Sequence, residues 1–389
     1  MKRDRGRSKR VVVLGGAGAM GRIILRDLLE TAKDVAVVCA DRDVSAARGL
    51  DVERVRANVL DPRSLARVLR GASVVVASLP YRFNLEAMRG ALAARAHYVD
   101  LGGLFHMTRK QLGLHRAFRE KGVTAILGMG SSPGITNLLA VHAASGMGRV
   151  SRVHCQVGSI DRTRFAKAPP LGFGYSVDTL LDEFSMPSAV FRGGKTRLVP
   201  PLAPEERVVA RFPRPVGKLV LETTLHSEVA TLPRHFASRG VEEVTFRQGF
   251  DAGFMEKLTF CARLGLADTK ALDGTGTSPR SVFLELLGRL PRPVVQGKPD
   301  RYEILRAEVH GTLGGKRVVV TADCHAPADA GWGIGPDIDT GAPPSIVAQL
   351  LLAGDPPPGV FAPEDAVPVA PFFKELARRG MSVRRRRVL

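Results

Sequence analysis

The stretch Val11-Val12-Val13-Leu14-Gly15-Gly16-Ala17-Gly18-Ala19-Met20-Gly21 decides the fold. Its apolar run reads as a strand buried on both faces, and the glycines after it mark a tight turn into a helix. Gly16, Gly18 and Gly21 are spaced as G-x-G-x-x-G. In that pattern the first glycine makes the turn, the second lets backbone approach a pyrophosphate, and the third lets helix and strand pack closely. Ala19 and Met20 open the helix, whose unpaired N–H groups favour an anion. The next apolar run, from Val35 to Ala40, ends at Asp41, 20 positions past Gly21. An acid there accepts hydrogen bonds from both hydroxyls of an adenine ribose, which predicts NAD as cofactor. Arg42, next to it, is placed to meet a 2′-phosphate, so NADP is the alternative.

Outward from this motif the first third alternates strand-like and helix-like segments. Strands are expected near Val52 to Ala57, Ser73 to Leu79, His97 to Leu101 and Thr124 to Leu127. Helices are expected at Asp61 to Arg70, Asn84 to Ala94 and Arg109 to Glu120. This βαβ series predicts an α/β, doubly wound parallel sheet of Rossmann type. After about residue 148 the pattern becomes that of a mixed α+β domain. Strands are expected at Val150 to Ser159, Lys195 to Pro204, Leu219 to Leu225 and Val241 to Gly249, with a hairpin turning at Gly314-Gly315. Arg162 to Tyr175 reads as a long loop, and helices are expected again at Pro343 to Leu352 and Phe372 to Arg379.

At 389 residues and 44% hydrophobic content the chain suits two ordinary domains with real cores. No apolar stretch is long enough to span a membrane, and the basic N-terminus lacks the apolar region of a secretory signal. Cys39, Cys155, Cys261 and Cys324 are scattered without a CxxC pair, as expected for reduced thiols in the cytoplasm. Cys324 and His325 are adjacent, and adjacent strand residues face opposite ways, so no metal is expected. The net charge is +19, of which residues 1–10 carry +5 and residues 378–389 carry +6. These arginine-rich ends read as solvated, dispensable tails. Aromatic residues are 6% and not interleaved with the basic runs, which argues against nucleic acid as a partner.

Ligands in open α/β sheets sit beyond the C-terminal ends of the strands. Three loops follow such ends. They are Ser78-Leu79-Pro80, Asp100-Leu101-Gly102-Gly103, and Gly128 to Gly134 with Ser132, Pro133 and Gly134, which leads to Asn137. In the second region Thr224 to Pro233 spends His226, Ser227, Glu228 and Thr231 at what reads as a strand end. His226, Glu228 and Asp100 are candidate acid–base groups, unranked among themselves. Tyr175, Ser176 and Arg247 are candidates to hold a substrate, since an arginine fork suits a carboxylate.

Several motifs together carry a resemblance. They are Gly15 to Gly21, Ser78-Leu79-Pro80-Tyr81-Arg82-Phe83-Asn84, His97-Tyr98-Val99-Asp100-Leu101-Gly102-Gly103 and Ser132-Pro133-Gly134-Ile135-Thr136-Asn137. Further on come Leu225-His226-Ser227-Glu228, Thr231-Leu232-Pro233, Thr340-Gly341 and Phe361-Ala362-Pro363-Glu364. In this order, from Lys9 to Val383, the chain resembles the saccharopine dehydrogenase-like oxidoreductases, and within them the L-lysine 6-dehydrogenases. The resemblance implies a Rossmann domain over 9–132, a substrate and dimerisation domain over 133–338, and C-terminal helices over 339–389 that return to the Rossmann domain. It implies a homo-oligomer acting on a small amino acid or amine. It also implies oxidation of the lysine ε-amine carbon, with the imine hydrolysed to a semialdehyde that cyclises to a piperideine carboxylate. The alternatives are a saccharopine or carboxynorspermidine enzyme, with Arg162, Arg164 and Lys167 available for a second carboxylate, and a non-enzymatic nucleotide sensor.

Overall fold

The computed structural model describes residues 9–168, 171, 176–291, 294–328 and 337–389. Packing divides it into two units. One holds the residues up to Leu138 together with Asp339–Arg379, and the other holds Leu139–Ile338 together with Gly380–Leu389.

The first unit is built on β1 (Lys9–Leu14), β2 (Val35–Asp41), β3 (Glu53–Arg56), β4 (Val74–Ala77), β5 (His97–Asp100) and β6 (Thr124–Ile126). They lie in the order β6-β5-β4-β1-β2-β3, and a short strand, Gly359–Phe361, adds beside β6. Every pairing is parallel. Val11 to Val13 and Val74 to Val76 are fully buried, as central strands covered on both faces must be. The strand order reverses between β1 and β4, which is the switch point where such sheets bind ligands. Helix α1 (Ala19–Thr31) buries Ile23, Ile24, Leu25 and Leu28.

One acid on α1 is buried with them. Asp27 accepts from Arg379 Nε at 2.5 Å and Nη2 at 2.8 Å, and from Ser345 Oγ at 2.5 Å. Ser345 lies on the helix Ile338–Ala353, and Arg379 follows the helix Val369–Arg378. A single carboxylate thus fastens both C-terminal segments to the nucleotide fold. Gly341 makes the contact close: a Cβ there would sit 2.4 Å from Ile23 Cγ2.

Among the described residues the second unit is built on a mixed nine-stranded sheet flanked by helices. Its centre is the strand Arg149–Asp161, parallel to Glu243–Gly249 on one side and antiparallel to Arg301–Leu313 on the other. The strand Arg301–Leu313 turns into Lys316–Pro327 through Gly314 and Gly315, both at positive φ as the two-residue hairpin requires.

Several expectations are corrected. The helix expected at Arg109 to Glu120 is two helices, Leu104–Leu112 and His115–Lys121, interrupted at Gly113. The polar run after Thr223 is not a strand end: Glu228–His235 is a helix with Pro233 inside it. The loop expected over Arg162 to Tyr175 contains a short strand, Phe165–Lys167, paired with Val294–Val295. The helix Pro279–Arg289 was missed although Ser278 caps it and Pro279 opens it, which are ordinary start signals.

The last residues are not a solvated tail, and they do not return to the first sheet with the C-terminal helices. Ser382–Arg387 forms the edge strand of the second sheet against Lys316–Pro327. Arg385 donates to the carbonyls of His142, Ala143 and Ser145 at 3.1, 3.2 and 3.0 Å, which caps the C-terminal end of the helix Ile135–Ala143. A cation there meets the negative end of the helix. Residues 1–8 lie outside the described residues. Deleting residues 382–389 is therefore expected to lower the melting temperature, and Arg385→Ala alone to cost about 1 kcal/mol in denaturant unfolding. An unchanged melting curve for the truncated chain would return these residues to the status of a tail.

Candidate active site

In the first unit the turn is made one residue earlier than the spacing suggests. Gly15 has φ +73°, and a Cβ on it would lie 2.1 Å from the Ser78 carbonyl oxygen. Gly16 instead packs against β2, where a Cβ would be 2.9 Å from Cys39 Sγ. Gly21 is the close-packing glycine, its absent Cβ falling 2.2 Å from Gly15 O. Gly18 differs from both. It is exposed, and a Cβ there would meet only Gly15 O, at 3.2 Å. It stands at the N-cap of α1 with extended backbone and no side chain capping the helix. Ala19 is exposed and Met20 half-buried beside it, with no acid in the first turn. The helix N-terminus thus presents its amides and dipole to an anion.

Asp41 ends β2 half-buried and accepts from the Ala17 amide at 3.1 Å and the Asp43 amide at 3.4 Å. Its carboxylate is held against the glycine loop. Arg42 is exposed, and its carbonyl accepts from Arg56 Nε at 3.2 Å. The open N-terminus, the glycine cradle and the acid together fit a dinucleotide.

Ser78, Leu79 and Pro80 follow β4 half-buried, with the Ser78 amide donating to Leu14 O at 2.8 Å. Asp100 ends β5 with no solvent exposure. Its Oδ1 accepts from the amides of Gly102 at 3.0 Å and Gly128 at 2.7 Å. Its Oδ2 accepts from Gln111 Nε2 at 2.5 Å and Asn84 Nδ2 at 3.2 Å. Burial pushes this carboxyl up, while the donors from Gly128, Gln111, Tyr98 and Gly102 draw it back. With donors on both oxygens, Asp100 braces two loops. Gly103 serves the same brace, since a Cβ there would lie 2.5 Å from Gln111 Oε1.

The third loop is folded on itself. Gly130 N donates to Pro133 O at 2.8 Å, and Gly134, at φ +122°, would set a Cβ 2.4 Å from Gly130 O. Pro133 is buried, its ring filling the space beside Gly102 and Gly128. Gly134 N donates to Asn137 Oδ1 at 3.0 Å, and Asn137 Nδ2 to Glu364 Oε2 at 2.8 Å. Ser132 is half-buried on the loop. Its neighbour Ser131 accepts from Thr340 Oγ1 at 3.1 Å. Thr340 and Glu364, distant in sequence, thus support this loop.

In the second unit His226 lies between two acids. Its Nδ1 is 2.6 Å from Glu228 Oε2 and its Nε2 is 3.9 Å from Glu183 Oε1. Its ring stacks on Phe246 at 3.7 Å between centroids and 13° between planes. Glu183 Oε2 accepts from Gln248 Nε2 at 2.8 Å, and Gln248 also donates to Thr224 Oγ1 at 3.2 Å. His226 is 4% exposed, Glu183 3% and Glu228 0%. Burial alone would lower the imidazole pKa, but the carboxylates of Glu228 and then Glu183 override it and raise it above its usual value. Glu183 was missed from sequence. The signal was present: it falls three residues after Leu180, on the buried stripe of the helix Val177–Ser185. Ser227 and Thr231 flank Glu228 and are buried with it.

Two of the substrate candidates have partners within the protein. Arg247 is 5% exposed and turned inward. It donates to Thr245 Oγ1 at 2.7 Å and to Glu206 O at 3.1 Å, with Nη2 3.7 Å from Glu206 Oε2. Its fork faces an internal acid, not a ligand carboxylate. Ser176 is exposed and caps the helix Val177–Ser185, accepting from Thr179 N at 3.4 Å. Tyr175 lies outside the described residues.

The saccharopine dehydrogenase NADP binding domain model matches residues 11–126, and the saccharopine dehydrogenase C-terminal domain model matches residues 130–381. The chain belongs to the saccharopine dehydrogenase family. This is a family of oxidoreductases, and the matched N-terminal model is one of dinucleotide binding. The chain is 22% identical over 359 residues to a carboxynorspermidine synthase of Vibrio cholerae, covering 86% of this chain and 83% of that one. It is 24% identical over 174 residues to an NADP-dependent, L-glutamate-forming saccharopine dehydrogenase of Pyricularia oryzae, covering 42% of this chain and 37% of that one. The fold matches that of apo saccharopine dehydrogenase (L-Glu forming) from Saccharomyces cerevisiae. The TM-score is 0.74 at 17% identity, over 98% of this chain and 100% of that one. Among the described residues no helix is long and apolar enough to cross a membrane.

The glycines separate two effects that substitution can test. Gly18→Val meets one backbone oxygen at 3.2 Å and otherwise projects from an exposed position, so it is expected to abolish dinucleotide binding at a smaller cost in melting temperature than Gly21→Val. Gly21→Val meets backbone at 2.2 Å and is expected to lower the melting temperature itself. Normal cofactor affinity in Gly18→Val would reassign the loop. Asp100→Asn places a donor among donors and is expected to cost about 1–3 kcal/mol in chemical denaturation. A neutral result would remove its bracing role.

Proposed function

We propose that the protein is a nicotinamide-dinucleotide dehydrogenase acting on a carbon–nitrogen bond of an amino acid, with the ε-amine of L-lysine as substrate. The observation that carries this reading is the buried set His226, Glu228 and Glu183. Two carboxylates out of water attract an ammonium, and an imidazole between them can take its proton. An amine gives up hydride only when neutral, so deprotonation is the step the protein must arrange. Glu228 orients the imidazole through Nδ1, which leaves Nε2 for the proton. The first unit binds the dinucleotide through the amides at the start of α1 and through Asp41. The bound nicotinamide supplies the hydride acceptor. The resulting substrate imine adds water and releases ammonia, leaving the semialdehyde that cyclises. A nucleotide sensor has no need of a buried acid–base set. The reading includes a cytoplasmic homodimer, which light scattering tests for assembly.

Asp41 supports NAD, since its charge opposes a 2′-phosphate. NADP is the second reading, supported by Arg42, Arg54 and Arg56 around the ends of β2 and β3 and by the NADP-binding family model. A larger secondary amine, as in saccharopine or carboxynorspermidine, is supported by the Vibrio cholerae relative that spans most of the chain.

Cofactor reduction measured with lysine, saccharopine and carboxynorspermidine, with NAD and NADP in separate runs, decides among these. Lysine with NAD is the expected pair, and turnover confined to saccharopine would overturn it. Asp41→Ala is expected to weaken NAD binding and narrow the preference over NADP. His226→Asn is expected to lower kcat by about 10²–10⁴ with little change in NAD affinity.

The wild-type rate should rise with pH along a limb lying above the usual imidazole value of 6.5, because His226 must lose its raised proton to act as base. The stability sign is the opposite. The protonated pair stabilises the fold fully below the unfolded imidazole pKa, and that contribution fades as pH rises through the raised folded value. A pH–rate limb that persists in His226→Asn would assign it to another group.

A further inference from the structure

The strand Glu243–Gly249 has two chemically distinct faces. Phe246 and Gln248 point toward the His226 set, while Glu243, Thr245 and Arg247 alternate to the other side. On that other side the sheet register gathers a second group. His154 stands directly opposite Glu308 across the antiparallel pair Arg149–Asp161 and Arg301–Leu313, and it also pairs with Thr245. His310 is two residues beyond Glu308 and so shares its face.

One donor atom from each of His154, Glu308 and His310 lies within 4.8 Å of the others. Glu308 Oε1 is 2.9 Å from His310 Nε2 and 3.6 Å from His154 Nδ1. Two donors on one tetrahedral zinc ion sit about 3.3 Å apart, given bonds of about 2 Å. The remaining nitrogen of His154, Nε2, is 3.1 Å from Glu243 Oε1. Glu243 is itself flanked by Arg152 at 3.8 Å and Arg192 at 3.9 Å.

We propose that His154, His310 and Glu308 bind a divalent transition-metal ion of the zinc class, with Glu243 as the positioning residue that orients His154. Two imidazoles and one carboxylate form a donor set suited to such ions. A carboxylate on the far nitrogen of a ligating histidine fixes its tautomer and orientation. The donors stand on paired strands in the middle of a sheet, so the backbone holds their spacing before any ion arrives. Three protein donors leave a coordination position open, as in exchangeable rather than closed structural sites. The side chains of His154, His310 and Glu308 are 16%, 26% and 28% exposed, which leaves the group within reach of solvent.

The test uses the full chain without a histidine tag, stripped with chelator, loaded with Zn²⁺ and desalted before metal analysis. About one zinc per chain is expected to remain, and Co²⁺ in its place is expected to give visible absorption bands of a nitrogen–oxygen site. The double substitution His154→Gln with His310→Gln should bring retention to background. Glu243→Gln should weaken zinc binding by about 10–100-fold without abolishing it. His235→Gln, outside the group, should change nothing. Zinc at blank level and no cobalt bands in the wild type would overturn the proposal and leave an ion-free network of histidines and acids. Equal retention in the double variant would overturn it as well. A wild type without cobalt bands overturns the proposal even if a variant fails to fold.

Discussion

A single buried carboxylate, Asp100, holds the crevice of the nucleotide unit in shape. Taking a charge wholly out of water costs several kcal/mol unless hydrogen bonds replace the lost solvation. Here two backbone amides and two side-chain amides do so; the backbone amides belong to the loops after β5 and β6, and the side-chain amides to the helices Leu104–Leu112 and Asn84–Ala94. The glycines of those loops follow from this arrangement. Gly103 leaves room for Gln111, and Gly102 and Gly128 leave room for the Pro133 ring. The brace sets loop positions that a ligand would otherwise have to order on binding.

Asp27 repeats the device within the same unit. It sits on the buried face of α1, and its partners Arg379 and Ser345 come from more than 300 residues later. That ion pair explains why an apolar helix face carries an acid. It also explains how the chain can leave the nucleotide fold, build a second sheet and come back. The return adds the strand Gly359–Phe361 and brings Glu364 to Asn137 and Thr340 to Ser131. The nucleotide unit is complete only with residues from both ends of the chain.

The second unit separates two chemistries by the alternation of one strand. The face of Phe246 carries a histidine held between acids in a dry environment, where charge interactions are strong and an unpaired charge is costly. The face of Thr245 carries His154, His310 and their acids in partial contact with solvent. The same residue types acquire different character because burial differs, not because their neighbours in sequence do.

The Rossmann half was legible because its signals are local. An apolar run, a glycine turn and a second apolar run ending in an acid state strand, turn and next strand in order, and sheet burial follows from composition. The polar run at His226 was legible as unusual, but not as the start of a helix, since Pro233 lies inside the element and propensity argues against it. Glu183, Glu364 and Thr340 were not assigned to sites, and the internal partners of Asp100 and Arg247 were not legible. Whether a charged group is a tool or a brace depends on which donors surround it. Those donors come from segments tens to hundreds of residues away. The arginine-rich end shows the same limit: charge alone reads as a tail, whereas pairing with Lys316–Pro327 makes it an edge strand. By itself the sequence determined the parallel α/β fold and the glycine turn after its first strand, because each rests on contacts within a few residues or on periodic burial. Tertiary structure alone decided which acids pair, which histidine is buried and where residues 382–387 go, because those outcomes rest on long-range desolvation and hydrogen bonding.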